Sequence, residues 1–394
     1  MYISKRASSI KPSPTLAISA KAKKLKSEGV NVINFGIGEP DFDTPQNIKN
    51  AAIDAINNGF TKYCPVAGTP DIKKAIIAKL KEDNNLDYSP EEIIVSCGAK
   101  HSLYNIFQAV FDPGDEVIVP SPYWVSYPDM AILAGALPII VSTDDKTNFK
   151  VTAKQIEHVI TPKTKALILN SPSNPTGNTY TFDELKEIAK VCIEHRLLII
   201  SDEIYEKLVY DNFKYYSIAQ VSKEVQNQTL VVNGVSKAFA MTGWRIGYCA
   251  GPKDIIAAMT KIQSQSTSNP TSISLKATTE ALNGPKDEME KMRQEFEKRR
   301  NYIVEKLNSI DGIKCVKPNG AFYVFPNISK LLGKKYSNKT INTDVELCEY
   351  LLDNARIAVV PGSAFGLPGY IRLSYATSME NIIEGISRLE KAVK

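Results

Sequence analysis

Short apolar runs alternate with longer amphipathic stretches through the middle of this 394-residue chain. This alternation constrains the fold most, because a helix between two strands returns the chain so that the second strand lies parallel to the first. We predict an α/β fold whose mostly parallel central sheet carries helices on both faces. The predicted strands are residues 93–97, 116–119, 137–141, 166–170, 197–201, 230–233 and 246–250. The main predicted helices are residues 48–58, 71–83, 101–110, 182–195, 253–261 and 286–308.

After about residue 295 the pattern changes, and two short segments, 320–325 and 370–375, are typical of strands in a separate α+β unit. The long charged helix predicted over 286–308 would connect this unit to the central sheet. At roughly 100–200 residues per domain, the length of the chain agrees with two domains.

Composition and motifs exclude several functional classes. The formal net charge is only +5 and the basic residues are spread along the chain, so we expect small anionic ligands rather than nucleic acid. The six cysteines form no Cys-x-x-Cys pair and there are only three histidines, so we expect no metal site. No apolar run approaches the roughly 18 residues of a membrane span, and the N-terminus lacks the apolar core of a secretory signal. Scattered single cysteines fit a reducing compartment, and we expect the cytoplasm.

Small or polar residues follow the predicted strands, whose carboxyl ends form the ligand-binding edge of an open α/β sheet. Gly98, Ala99 and Lys100 follow strand 93–97 and open a helix, an arrangement that can cradle a phosphate. Asn174 follows strand 166–170 in a loop stiffened by prolines on both sides. Each feature alone is also typical of an ordinary turn.

Two further strand ends carry an acid and a base. Asp202 follows strand 197–201 and could accept an N–H from a heterocycle, with Tyr205 three residues on, although a helix cap would look the same. Lys237 follows strand 230–233 among small and apolar residues, which should lower its pKa and make it nucleophilic. Arg245, eight residues later, could bind a phosphate bidentately. Taken together, the four strand ends suit a ligand with a phosphate, a hydroxyl oxygen, a ring nitrogen and an aldehyde, which describes pyridoxal 5′-phosphate.

The chain resembles the class I pyridoxal-phosphate-dependent aminotransferases, and most of all their bacterial-type aspartate aminotransferase subgroup. Matching segments run from end to end in the family's order: FGIGEPDFDTP (35–45), KYCPVAGTPDIKKAI (62–76), DPGDEVIVPSPYWVSYP (112–128), SPSNPTG (171–177), SDEIYE (201–206), NGVSKAFAMTGWRIGY (233–248), NGAFYVFP (319–326) and VVPGSAFG…YIRLSYATS (359–378).

The resemblance implies a fold type I transferase with a large cofactor-binding domain, residues 45–290. Both chain ends, residues 1–44 and 291–394, would form the smaller α+β domain. It also implies a homodimer whose two active sites are shared between subunits. The partners are then amino acids and 2-oxo acids, with neither nucleic acid nor a membrane involved.

In this family the motif lysine carries the cofactor and moves the substrate proton, so the resemblance implies that Lys237 is catalytic. Asp202 would pair with the ring nitrogen, and Tyr205 and Asn174 would donate to the phenolic oxygen. Trp124 would stack on the ring. The phosphate would be held by Gly98, Ala99, Ser236 and Arg245, together with the partner subunit's Tyr63.

For the substrate, the resemblance implies that Arg372 clamps the α-carboxylate, with contacts from Gly38, Asn174 and Trp124. Lys100 could meet the second carboxylate of an acidic substrate, although Ala99 replaces the second glycine of the usual Gly-Gly-Lys motif. The N-terminal stretch 11–15 resembles a segment that closes over the substrate in this subgroup.

The expected reaction is a ping-pong transfer of an amino group between L-aspartate or L-glutamate and 2-oxoglutarate or oxaloacetate. A prephenate or aromatic aminotransferase is the main alternative, since some members of the subgroup accept prephenate as well as aspartate. A C–S lyase and a non-catalytic cofactor-binding protein are further alternatives. Lys100 favours acidic substrates over the lyase, and the presence of Lys237, Asp202 and Arg372 together argues against a protein without catalysis.

Overall fold

A seven-stranded sheet forms the centre of the protein in a computed structural model, which describes residues 2–10, 14–337 and 339–394. Strands are numbered here along the chain over those residues. They are β1 (Ile33–Asn34), β2 (Ile93–Ser96), β3 (Glu116–Ser121), β4 (Leu137–Ser142), β5 (Thr164–Asn170), β6 (Leu198–Asp202), β7 (Thr229–Gly234), β8 (Gly247–Ala250), β9 (Tyr323–Val324), β10 (Lys334–Tyr336), β11 (Lys339–Ile341), β12 (Ile357–Ala358), β13 (Val360–Pro361) and β14 (Ile371–Ser374).

The α-helices over the same residues are numbered in the same way. They are α1 (Lys5–Ser8), α2 (Pro14–Ser27), α3 (Gln46–Asn57), α4 (Pro70–Asn84), α5 (Ala99–Val110), α6 (Ser126–Leu133), α7 (Ala153–His158), α8 (Phe182–Glu194), α9 (Lys223–Asn227), α10 (Lys253–Ser266), α11 (Ser272–Asn283), α12 (Asp287–Asn308), α13 (Asp344–Tyr350) and α14 (Met379–Val393). Within the described residues, none of the helices has both the length and the apolar character needed to cross a membrane.

The central sheet has the order β2-β8-β7-β6-β5-β3-β4. Strand β8 runs antiparallel to both of its neighbours, and the other adjacent pairs are parallel. All seven strands lie where the sequence predicts them, and the α/β fold class with a mostly parallel sheet is confirmed. The carboxyl ends of β5, β6 and β7 therefore meet at one edge.

Helices cover both faces of this sheet because successive strand residues point in opposite directions. In β3, Val117 packs in a cluster with Leu103 and Phe107 of α5. The next residue, Ile118, packs with Leu185 and Ile188 of α8 on the opposite face.

Helix α8 shows how a local signal fixes an element boundary. The Thr181 hydroxyl accepts a hydrogen bond from the Glu184 backbone N–H at 3.4 Å, and the Glu184 carboxylate accepts one from the Thr181 N–H at 2.8 Å. This reciprocal capping box is readable from the Thr-x-x-Glu spacing and satisfies N–H groups that have no partner within the helix.

Helix α11 has no counterpart among the predicted helices. Its buried face includes Ser272, Ser274 and Thr278 beside Leu275 and Ala281, so the apolar periodicity that normally marks a helix is weak there. The predicted strand over 320–325 is also shorter in the structure, where β9 is the strand and Gly320 forms an isolated bridge with Val209.

Both ends of the chain meet in one layer. Strand β1 pairs in parallel with β12, and β14 lies between β13 and β9 in an antiparallel sheet. A large cluster of buried apolar residues joins these strands to α12 and α14. This pairing agrees with a small domain built from residues 1–44 and 291–394 and a large domain of residues 45–290, a division that stays a prediction.

Candidate active site

Lys237 follows β7 at the carboxyl edge of the sheet, and its Nζ donates a 2.6 Å hydrogen bond to the carbonyl oxygen of Gly38. Burial lowers the pKa of Lys237 to about 8. Glu39 and Asp202 oppose that shift, whereas Arg245 and Arg372 add to it by charge repulsion. A substantial fraction of this amine is therefore neutral, and nucleophilic, near physiological pH.

Asp202 is the last residue of β6 and is almost completely buried. The Tyr127 hydroxyl donates to its Oδ2 at 2.6 Å, and the Ile204 backbone N–H donates to its Oδ1 at 3.3 Å. Burial raises the pKa of Asp202 to about 6, while both hydrogen bonds and Lys237 favour the charged form. The carboxylate can thus face a cationic N–H group of a ligand.

Arg372 lies on β14 and is 97 % shielded from solvent, with an exposed fraction of 3 %. Its Nη1 donates to Asn174 Oδ1 at 3.0 Å and its Nη2 to the Gly36 carbonyl at 2.8 Å. The buried Nε has no hydrogen-bond partner in the described part of the chain. Burying a guanidinium without a carboxylate is costly, so this side chain is suited to receive an anionic ligand.

Two tyrosines pack against each other between Lys237 and Arg372. The hydroxyls of Tyr205 and Tyr323 lie 2.9 Å apart, and both side chains are buried. The Arg372 guanidinium stacks on the ring of Tyr323 at 4.6 Å and on Phe365 at 5.0 Å. Burial raises the pKa of both phenols, so each keeps its proton at neutral pH.

Gly98 and Arg245 form a positively charged hollow at the start of α5. Gly98 has a φ of +91°, and a Cβ there would lie 2.6 Å from Nη2 of Arg245. Arg245 is anchored by donating from Nη1 to the Thr242 carbonyl at 2.9 Å. Ala99 begins the helix, whose first N–H groups lack intrahelical acceptors, and the buried Ser236 directly precedes Lys237. Such a combination suits a phosphate.

Trp124 and Lys100 lie next to each other at the same edge of the sheet. Nζ of Lys100 lies 4.8 Å from the centre of the Trp124 ring, and the ring of Tyr127 meets Trp124 edge to face. Desolvation and the nearby Arg245 lower the pKa of Lys100. Both side chains therefore belong to the same cation-rich cleft.

The structure brings together all of the predicted site residues except Tyr63. The side chain of Tyr63 is 91 % exposed and lies away from the cleft of its own chain, in the loop between α3 and α4. Of the N-terminal stretch, residues 11–13 and the Thr15 side chain lie outside what the structure describes. The predicted role of Tyr63 across a dimer stays a prediction.

Three contributors are missing from the sequence-based set: Tyr127, which binds Asp202, Tyr323, which binds Tyr205, and Gly36, whose carbonyl binds Arg372. All three lie inside motifs that carry the family resemblance. Their residue types alone carry no signal, since a tyrosine in an apolar run normally indicates core packing.

Comparison with known proteins agrees with this geometry. The family model "Aminotransferase class I and II" matches residues 30–389. An aspartate aminotransferase of Bacillus sp. strain YM-2 is 54 % identical over 392 residues, covering 100 % of this chain and 99 % of that protein. A probable aspartate/prephenate aminotransferase of Rickettsia bellii is 53 % identical, covering 99 % of this chain and 98 % of that protein. The crystal structure of the aspartate aminotransferase from Rhizobium meliloti superposes with a TM-score of 0.97 at 47 % identity, covering 100 % of this chain and 99 % of that one.

The match covers the full length of the chain. The sheet edge also brings together a lysine with a lowered pKa, a buried carboxylate and a buried arginine, and these findings together define the class of protein. The chain belongs to the class I and II aminotransferases. It is an enzyme that transfers an amino group.

Proposed function

We propose that this enzyme transfers the amino group between L-aspartate or L-glutamate and a 2-oxo acid, with pyridoxal 5′-phosphate as its cofactor. The observation that carries the proposal is Arg372, a buried guanidinium without a carboxylate partner, aimed at the cleft that contains Lys237. An α-carboxylate fits that position, and a charge-assisted bidentate pair contributes about 1.5–3 kcal/mol. The names of the relatives support aspartate as the substrate.

The residues at the sheet edge fit the proposed cofactor. Gly98, Ala99, Ser236 and Arg245 would hold its phosphate, because a Cβ at residue 98 would fill the hollow beside the Arg245 guanidinium. Asp202 would accept from its ring N–H, while Tyr205 and the Asn174 amide would donate to its ring oxygen. When bound, pyridoxal 5′-phosphate supplies an aldehyde and an electron-accepting ring.

Lys237 has two tasks in this proposal, attachment of the cofactor and proton transfer. The substrate amino group would first take the place of Lys237 on the cofactor, and the amine freed in this way would accept the proton from the substrate Cα and could donate it again when the reaction runs in the reverse direction. Asp202 would hold negative charge next to the ring nitrogen, which would keep that nitrogen protonated and so allow the ring to accept electron density from Cα. Trp124 covers the cleft and excludes water.

Acidic substrates require a second cation, and we assign this role to Lys100, whose Nζ lies over Trp124 at the rim of the cleft. Gly38 and Asn174 would contact the substrate next to Arg372. The carbonyl of Gly38 already holds Lys237, so the segment that contains it is in place for such a contact.

A homodimer completes the proposal. Tyr63 is nearly fully exposed in the single chain, and a partner subunit would bring the partner's Tyr63 to the phosphate. The cytoplasm is the proposed location, because all six cysteines are free, as is typical of a reducing compartment.

Prephenate is the second candidate amino acceptor, because similar proteins of Rickettsia carry the name aspartate/prephenate aminotransferase. A panel of amino donors against 2-oxoglutarate and prephenate separates the candidates. We expect aspartate and glutamate to react fastest with 2-oxoglutarate or oxaloacetate. Aromatic donors that react faster than aspartate would instead support an aromatic aminotransferase.

The cofactor and the role of Lys237 are tested on the purified enzyme. We expect a visible absorption band that aspartate bleaches with release of a 2-oxo acid. Lys237→Ala should lower turnover by at least about 10²–10⁴-fold, the usual contribution of a general acid-base group. A Lys237→Ala variant with full turnover would refute the mechanism. Continued release of 2-oxo acid and ammonia over many turnovers without any amino acceptor would indicate a lyase, since a transaminase releases only one equivalent per site under those conditions.

A further inference from the structure

One proton of the Tyr205–Tyr323 pair has no acceptor. The two hydroxyls carry two protons, and their mutual 2.9 Å hydrogen bond uses one of them. No other acceptor contacts either hydroxyl in the described part of the chain. Both side chains are almost completely buried, and a buried donor without a protein partner costs free energy unless a bound ligand accepts from it.

The surroundings determine which hydroxyl faces the ligand. Nζ of Lys237 lies 5.8 Å from the Tyr205 ring, on the side where the reaction takes place. Tyr323 lies next to Tyr205, with its ring face against Arg372 and its hydroxyl close to Gly38, where a Cβ would approach to 3.0 Å. Tyr205 follows Asp202 by three residues and therefore lies beside the proposed cofactor, whereas Tyr323 lies beside the proposed substrate contacts Arg372 and Gly38.

We propose that Tyr323 is a positioning residue that donates its proton to the Tyr205 oxygen, so that Tyr205 can give its own proton to the ring oxygen of the bound cofactor. This inference rests on the proposed function. The Tyr323 hydroxyl acts only through Tyr205, whereas its ring supports Arg372 independently of the hydroxyl.

The buried surroundings keep both hydroxyls protonated, as the proposed arrangement requires. Burial raises the pKa of Tyr205 and of Tyr323, so both phenols remain donors at neutral pH. A donor that itself accepts a hydrogen bond becomes polarised and donates more strongly, because hydrogen bonds in a chain reinforce each other. An anionic ring oxygen would therefore bind more tightly with Tyr323 present than with phenylalanine in its place.

The test measures binding rather than turnover. Pyridoxine 5′-phosphate keeps the ring oxygen and the phosphate but lacks the aldehyde, so its affinity for the cofactor-free enzyme reports non-covalent contacts alone. We expect Tyr323→Phe, which keeps the ring on Arg372, to weaken binding by up to about twofold, because Tyr205 still donates to the ring oxygen and only the strengthening of that hydrogen bond is lost. Tyr205→Phe should weaken it at least as much.

We call the proposed pair of hydrogen bonds, from Tyr323 to Tyr205 and from Tyr205 to the cofactor, the relay. A double variant distinguishes the relay from a merely structural effect. Once Tyr205→Phe has removed the first hydroxyl, adding Tyr323→Phe should cause no further loss of affinity. Equal losses in both backgrounds, or no loss from Tyr323→Phe alone, would overturn the relay. A wild-type enzyme that fails to bind pyridoxine 5′-phosphate would overturn the proposed cofactor together with the relay.

A matched control is Tyr336→Phe, because Tyr336 is a buried tyrosine of the same apolar cluster whose hydroxyl donates to the Leu331 carbonyl at 2.9 Å, outside the cleft. It should lower the melting temperature without changing the affinity.

The pH at which the bound cofactor changes its absorption gives a second readout. That pH should rise in Tyr323→Phe, and an unchanged value would count against the relay.

Discussion

The lowered pKa of the Lys237 amine results from its surroundings rather than from the residue type. Burial and two arginines destabilise the ammonium form of Lys237, and Asp202 and Glu39 only partly compensate. The nearest polar atom, the Gly38 carbonyl, accepts a hydrogen bond but carries no full charge. A single side chain thus becomes a usable base because the fold surrounds it with cations and little water.

The reactivity of Lys237 should therefore depend on pH in a predictable direction. In the cofactor-free enzyme, the rate of aldehyde capture should rise with pH and level off above about 8, because only the neutral amine is nucleophilic. The measurement follows the absorbance of pyridoxal added across a pH series. A rate that keeps rising towards the ordinary lysine value of 10.5 would contradict the lowered pKa.

We expect substrate choice to depend on one side chain, Lys100. Lys100→Ala should lower kcat/KM for dicarboxylic substrates about tenfold or more, the effect of losing one charge-assisted contact, and should change aromatic substrates little. The measurement compares aspartate with phenylalanine as donors. Lys261→Ala, which removes an exposed lysine of α10 outside the cleft, is the control. Equal losses for both donors would remove the proposed role of Lys100.

At the scale of elements, the turn after β6 is held from both sides. Asp202 and Tyr205 face the cleft, whereas Glu203 accepts from the Ser201 hydroxyl at 2.8 Å on the opposite side. Glu206 forms a buried ion pair with Lys79 of α4 and accepts from Asn84 at 3.1 Å. Burial alone would lower the pKa of Lys79, but Glu206, Tyr248 and Asp83 raise it above its usual value. Helix α4 thus holds the turn that carries two proposed cofactor contacts.

Breaking this ion pair should destabilise the protein strongly. Lys79→Met leaves the Glu206 carboxylate buried without its cation, which typically costs about 3–5 kcal/mol in the free energy of unfolding. The double variant with Glu206→Leu should recover much of that loss, because no unpaired charge remains. Denaturant unfolding measures both. Lys81→Ala, which removes the exposed pair with Asp87, is the control, and a loss from Lys79→Met no larger than from Lys81→Ala would contradict the prediction.

At the scale of the whole molecule, the candidate active site lies where the central sheet meets the layer made by both chain ends. Arg372 of β14 reaches Asn174 after β5 and the carbonyl of Gly36 after β1. Lys237 comes from the central sheet and binds Gly38 of the N-terminal segment. A movement of the end layer relative to the sheet would therefore change the distance between the lysine and the arginine.

A shared dimer site makes a prediction about mixed subunits. Chains with Lys237→Ala and chains with Tyr63→Ala should each be impaired alone. Mixed dimers of the two should regain activity, because one of their two sites combines an intact Lys237 with the partner's Tyr63. Activity is measured after subunit exchange between differently tagged chains. No gain in proven mixed dimers would refute the shared site.

Much of the fold is predictable because its signals are local. The apolar runs of β2 to β8 and the Thr181–Glu184 capping box each lie within a few consecutive residues. Helix α11 is not predicted, because serine and threonine side chains on its buried face weaken the apolar periodicity that marks a helix. Lys237, Asp202, Asn174 and Arg245 are recognisable because each follows a predicted strand.

Residue types and short-range patterns thus establish the α/β class, the strand ends that carry chemistry and the resemblance to aminotransferases. The partners of those residues come from the tertiary structure, because the contacts join parts of the chain that no local pattern connects. Arg372 and Gly36 are 336 residues apart, Lys237 and Gly38 are 199 apart, and Tyr205 and Tyr323 are 118 apart. A packed interior forms only once those segments meet. Burial there lowers the pKa of Lys237, and the same packing leaves Arg372 without a counter-ion.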